Sequence, residues 1–216
     1  MPQNRRSFIR LLPGTLALTA SARFSPNASG SSFADAKNLL ETEGLRGWAA
    51  TDFFKPGQVA VKNSTLSLGK GKPMTGVTTT LRDLPKTNFD IAYEARRLDG
   101  DDFFAALTFP VQDGFLTFVN GGWSGNITGL SSIDGSDASE NETGKPYTFE
   151  NEVWYRFRVS VREHQVICSI NEKTVIDFDG IGRSLKTRVE SRPSEPLGLA
   201  CYDCSSEVRK IILTRL

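Results

Sequence analysis

Trp123 stands in the run Gly121-Gly122-Trp123-Ser124-Gly125, where neither helix nor regular strand is favoured. Four carboxylates follow it, Asp134, Asp137, Glu140 and Glu142. An indole face stacks on the apolar face of a pyranose, while amides, guanidiniums and carboxylates bond the sugar hydroxyls. Glycines beside the indole let the backbone approach that ring closely. The pattern suits a saccharide platform, set against the plainer alternative that Trp123 folds back to plug an edge of the fold. In "EVWYRFRVSVRE", Trp154 and Arg156 share one face and offer similar chemistry.

Other reactive residues are weaker candidates. His164 is the only histidine and sits in the polar "REHQ" turn, where exposure is expected. The pattern E-x-D-x-x-E, which would put a nucleophile and an acid on one strand, is absent. Asp134 and Glu142 are the candidate ligands if a divalent metal ion is bound, although the calcium-loop spacing D-x-D-x-D-G is missing. Glu94 and Arg96 share a strand face, which fits either a cross-strand ion pair or a catalytic pair. The N-x-S/T sequons at Asn63, Asn126 and Asn141 matter only in a glycosylating pathway.

The elements that must position these groups are short strands. "FDIAYEARRL" puts Phe89, Ile91, Tyr93 and Ala95 on one face and Asp90, Ala92, Glu94 and Arg96 on the other. "EVWYRFRVSVRE" points Val153, Tyr155, Phe157, Val159 and Val161 inward. "QVAVKN" and "TLSLG" face each other across Asn63-Ser64, and "DFFAALTFPV" meets "GFLTFVNG" across Gln112-Asp113. Only "FADAKNLLETEGL" carries a helical period. About a dozen such strands predict an all-β, two-sheet antiparallel sandwich of the concanavalin-like jelly-roll type, spanning residues 33–216.

The net charge of +1 supplies no field for nucleic acid. Residues 1–22 resemble a twin-arginine export signal, with Arg5-Arg6, a short apolar run and Ala20-Ser21-Ala22. That run is too short for a transmembrane anchor. Loss of Arg5, Arg6 and Arg10 with it would take the charge from +1 to −2. Residues 23–32, "RFSPNASGSS", read as a disordered linker. The expected destination is the periplasm or cell envelope. Cys201 and Cys204 have C-x-x-C spacing but no second pair for zinc; with Cys168 they read as buried small side chains, a bridge from Cys168 being the lesser alternative.

Several segments resemble bacterial exported proteins of the 3-keto-disaccharide hydrolase domain family, also described as 3-keto-glucoside lyase/hydratase. They are "SLGKGKPMTGVTT", "FDIAYEARRLDGDDFFAALTFPV", "FENEVWYRFRVSV" and "PLGLACYDCSSEVRKIILTRL". The resemblance spans about residues 48–216, with "DDFFAALTFP" where members tend to carry N-S-G. It implies elimination: a C3 ketone acidifies the C2 proton, a base removes it, the C1 group departs and water adds back. On that resemblance Glu94 is the base and Arg96 the enolate partner, while Asp113, Asn120 and Trp123 hold the sugar. A non-catalytic carbohydrate-binding module is the alternative.

Overall fold

Left-handed turn residues set the registers of the hairpins. Asn63 and Ser64 both take positive φ (50° and 56°), the two-residue geometry that matches strand twist, and Asn171 and Glu172 repeat it (48° and 69°). The computed structural model describes residues 35–216, so the readings made on residues 1–22 and 23–32 lie outside the described residues. The strands are β1 (Asp35–Asn38), β2 (Trp48–Ala50), β3 (Val59–Lys62), β4 (Thr65–Leu68) and β5 (Met74–Thr79). Next come β6 (Phe89–Arg97), β7 (Ala106–Val111), β8 (Gly114–Gly121), β9 (Ile127–Ser131) and β10 (Lys145–Pro146). The last are β11 (Tyr155–Val161), β12 (Gln165–Ile170), β13 (Lys173–Asp179), β14 (Gly198–Tyr202) and β15 (Ser206–Arg215).

They form two antiparallel sheets. Sheet I runs β13-β12-β11-β6-β15-β4-β3, with β1 also paired to β15. Sheet II runs β10-β9-β8-β7-β14-β5-β2. Alternation decides what fills the space between them. Tyr93 and Phe157 of sheet I stack with centroids 5.1 Å apart, and Phe118 of sheet II meets Phe157 edge-on at 6.3 Å. Phe149, carried by the segment before β11, packs edge-on against Phe104 at 5.0 Å. Cys168, Cys201 and Cys204 are free and buried in this same core.

Two local expectations change. Residues 35–38 form β1 rather than the start of a helix, because their backbone pairs with the far half of β15 and Leu39 N–H continues onto Ile211 O at 2.7 Å. Burial of Leu39 and Leu40 against the core outweighs a modest helical period. Val153 is exposed, since β11 begins only at Tyr155, where pairing with Ala95 starts.

Arg97, the last residue of β6, shares the inward parity of Phe89, Ile91, Tyr93 and Ala95 and is buried. Its guanidinium donates to Asn151 Oδ1 (2.5 Å), Asp102 O (3.1 Å) and Phe149 O (2.9 Å), and lies 5.7 Å from the Phe104 ring centroid. A single buried cation thus ties the 99–103 loop to the segment before β11.

Candidate functional site

The outer face of sheet II is floored by small side chains. Ala106 on β7, Thr117 on β8 and Ser131 on β9 all point outward, as the pairing of Thr117 with Thr108 and Ser131 requires. Loops rise around this floor and enclose an open cleft of about 580 Å³, a volume suited to a small ligand. One wall is made by Asp52, Phe53 and Phe54 together with the 3-10 turn Val189–Ser194. Phe53 rests on bare backbone, since a Cβ on Gly76 would come within 3.0 Å of its ring. Asp102, Phe103 and Trp123 form the opposite wall, and Tyr202 pairs with Phe103 at 5.5 Å between centroids.

Trp123 reaches the cleft through a left-handed turn. Gly121 and Gly125 have φ of 72° and 81°, and between them Trp123 (φ 52°, ψ 59°) and Ser124 (φ 57°, ψ 45°) hold the same conformation. Each non-glycine residue there costs on the order of 1–2 kcal/mol. Surrounding bonds over-determine the turn. Asp102 Oδ2 accepts from Ser124 N–H at 3.0 Å, and the Asn126 amide donates to Trp123 O and Ser124 O, both at 3.1 Å. Asp102 is itself held from the core by Arg97. Trp123 therefore lines a cleft and does not plug an edge.

Two of the cleft's charged groups, Arg188 and Glu190, are paired. Arg188 donates to Asp137 Oδ2 and, at 3.4 Å, to Glu190 Oε2, while Ser132 Oγ donates to Asp137 Oδ1 at 3.0 Å. Glu190 is held below the usual carboxylate range, first by its own backbone N–H and then by Arg188. It is an ionised hydrogen-bond acceptor at neutral pH. Arg188, Glu190, Asp52, Phe54 and Tyr202 went unseen in the sequence. The only available signal was apolar residues inside turn-like stretches such as "TDFFKPG" and "TRVESRP".

Glu94, Arg96, Trp154 and Arg156 come together elsewhere, on the outer face of sheet I, beside a shallower hollow of about 400 Å³. Glu94 accepts from Arg209 Nε at 2.8 Å and Lys210 Nζ at 2.9 Å, with Arg156 Nε at 3.8 Å. Partial burial pulls its pKa up, but the bonds from Lys210 and Arg209 outweigh this and hold it below the ordinary value. A carboxylate so stabilised is a poor base. Arg96 is engaged by Glu207 at 2.7 Å. The guanidiniums of Arg209 and Arg96 already lie over the Trp154 ring, at 3.9 and 4.9 Å from its centroid. Trp154 thus has its π-surface occupied, and the group is the cross-strand ion-pair ladder rather than a reacting pair. Both sheets separate it from Trp123, with backbones about 10 Å apart.

The remaining candidates disperse. Asn120 points between the sheets, fully buried, and donates to Tyr93 Oη (3.0 Å) and Ala105 O (3.2 Å). Asp113 is exposed in the β7–β8 turn, separated from the Trp123 turn by the whole of β8, roughly 25 Å. Neither can hold a sugar that rests on Trp123. Asp134 and Glu142 do converge, but on Arg183, at 2.5 and 2.6 Å. With a guanidinium between them the pair does not fit a metal ion, and no cluster of three metal-ligating side chains exists among the described residues. His164 is exposed beside Glu163.

Asp90, two residues before Ala92 on the same ladder, predicts an acid sensitivity. Burial works against its charge, yet bonds from Arg158, Ser160 and Arg162 leave its pKa lowered. Carboxylates with lowered folded pKa contribute stability that is complete above the ordinary carboxylate range and drains away as pH falls through the folded value. Asp90→Asn should therefore destabilise the protein at pH 7 and flatten the stability loss below about pH 4. Urea unfolding at stepped pH checks this; unchanged acid dependence in the variant would refute it.

The chain is matched by no family model and by no curated protein. Among solved structures it is similar to the Crh5 transglycosylase in complex with NAG, at 13% identity and a TM-score of 0.54, covering 84% of this chain and 83% of that one. It is also similar to domain 4 of AbnA, a GH43 extracellular arabinanase from Geobacillus stearothermophilus, in complex with arabinotriose (11% identity, TM-score 0.52, 78% and 82% covered). The carbohydrate binding module CBM66 from Bacillus subtilis aligns at 11% identity and a TM-score of 0.50, over 76% of this chain and 93% of that one. Among the described residues no helix is long and apolar enough to cross a membrane. Two antiparallel sheets around one aromatic core, with the strand order given above, make this chain a concanavalin-like jelly-roll sandwich.

Proposed function

We propose that the cleft on sheet II binds saccharide, and that the domain acts outside the inner membrane as a carbohydrate-binding sandwich. The observation that carries this reading is Trp123, held in an unfavourable backbone conformation with its ring on the cleft. Strain that surrounding bonds maintain at a ligand-sized hollow is a mark of a binding residue. Tyr202 and Phe103 add apolar surface, and Arg188 and Glu190 supply fixed polar partners for hydroxyls. The fold neighbours named for carbohydrate binding or bound to sugars support the reading without deciding the sugar.

Action on 3-keto glycosides is the second reading, and the cleft offers it one foothold. Arg188 and Glu190 stand side by side there, a cation for a developing enolate and a carboxylate for the C2 proton. The lowered pKa of Glu190 weighs against it as that base, so binding without turnover is preferred. Titration of the purified chain with a panel of neutral oligosaccharides, beside incubation with a 3-keto glucoside, separates the two. Binding with the glucoside left intact supports the module; release of the aglycone that Glu190→Gln abolishes would replace it with the enzyme. No binding to any saccharide would end both. For location, the protein should fractionate with the periplasm, and a cytoplasmic location would remove the export reading. Replacing Arg5 and Arg6 together by Lys should hold it in the cytoplasm, and a periplasmic variant would remove the twin-arginine route.

A further inference from the structure

The two walls of the cleft differ in chemistry. Aromatic rings gather on the Trp123 side, where Phe103 and Tyr202 stand beside Trp123 and Asp102 fixes the turn, while Asp52, Glu190 and Ser191 bring polar groups to the opposite wall. That wall also carries Phe54 and Val189, both 73% exposed, which makes them the most exposed large apolar side chains among the described residues. Of the six such exposed residues, three (Phe54, Val189 and Tyr202) line this one cleft, so their exposure is not scattered surface. Met74 and Pro193 extend the same apolar wall, which is anchored where Thr78 Oγ1 donates to Pro193 O at 3.0 Å. Val189, Met74 and Pro193 have no flat π-face on which a second sugar would stack, and Lys55 Nζ already lies 5.1 Å from the centroid of the Phe54 ring.

The span of the cleft decides the size of what fills it. Trp123 follows β8, while Phe54 and Pro193 stand beside β5, where Lys55 O accepts from Lys72 N–H and Pro193 O accepts from Thr78, three strands away in the order β8-β7-β14-β5. That separation is roughly 14 Å. One pyranose on Trp123 does not reach the far wall. Resting on the saccharide reading above, we infer that the ligand is an amphipathic glycoside: its sugar lies on Trp123, and an apolar aglycone packs against Phe54 and Val189.

The test uses paired ligands on the full chain. Methyl and phenyl glycosides of glucose, galactose and arabinose are titrated calorimetrically, with the corresponding disaccharide for each sugar. The phenyl glycoside of the preferred sugar should bind roughly tenfold tighter than its methyl counterpart, as expected for burying part of an aromatic ring. Phe54→Ser combined with Val189→Ser should bring that ratio to near one. Equal affinities for methyl and phenyl glycosides, or a disaccharide that gains as much as the phenyl group, would overturn the inference while leaving saccharide binding in place. Absence of binding by every glycoside would instead remove the saccharide reading itself.

Discussion

Arg97→Ala is expected to cost the sandwich roughly 3–5 kcal/mol, the largest loss from any single polar side chain described above. All three partners of the guanidinium are neutral acceptors: two backbone carbonyls and the Asn151 amide oxygen. A buried acceptor left without its donor costs about 1–3 kcal/mol. Truncation strands Phe149 O, half-strands Asp102 O and leaves the exposed Asn151 to water. The lost packing of the side chain beside Phe104 adds to the cost. Lys is a poor substitute, since one ammonium cannot span the fork that reaches Asn151, Asp102 and Phe149 together. For a domain of this size the loss corresponds to a fall in Tm of about 10 °C. Chemical denaturation of Arg97→Ala and Arg97→Lys measures it. A loss under 1 kcal/mol in the alanine variant would show that the guanidinium is not the clamp. Because Arg97 holds Asp102, and Asp102 holds the Trp123 turn, saccharide affinity should fall in the same variant even where it remains folded.

Replacing Trp123 should separate binding from stability. Removing an indole that covers about 80 Å² of sugar surface forfeits roughly 2 kcal/mol, or about 30-fold in Kd. Trp123→Ala and Trp123→Gly should lose binding equally. Their stabilities should differ: at φ 52° alanine keeps the left-handed penalty and glycine escapes it, so the glycine variant should be the more stable by about 1 kcal/mol. Trp154→Ala serves as the control, because its ring is covered by Arg209 and Arg96 on the other sheet; it should leave saccharide affinity unchanged. Calorimetric titration and urea unfolding of the same three variants provide both readouts. Undiminished sugar binding in Trp123→Ala would dismantle the platform.

The sequence alone determined the sandwich. Period-two alternation in residues 89–97 and 155–161 separates the inward face of each strand from its outward face, and the turns at Asn63-Ser64 and Gln112-Asp113 join neighbouring strands. These are local signals, and the backbone obeys them wherever one face is buried. Even Arg97 was legible in principle, since it shares the parity of Tyr93 and Ala95. Parity states that a side chain points outward, but not from which sheet. The family resemblance groups the outward-facing Glu94 with Trp123 in one site, and only the strand order put them on opposite faces of the molecule. The cleft itself is assembled from segments as distant as Asp52, Asp102, Trp123, Arg188 and Tyr202. Their loops have no period, so their meeting was settled by long-range pairing of β7 with β14 and of β14 with β5, which carries the loops to one end of a shared floor.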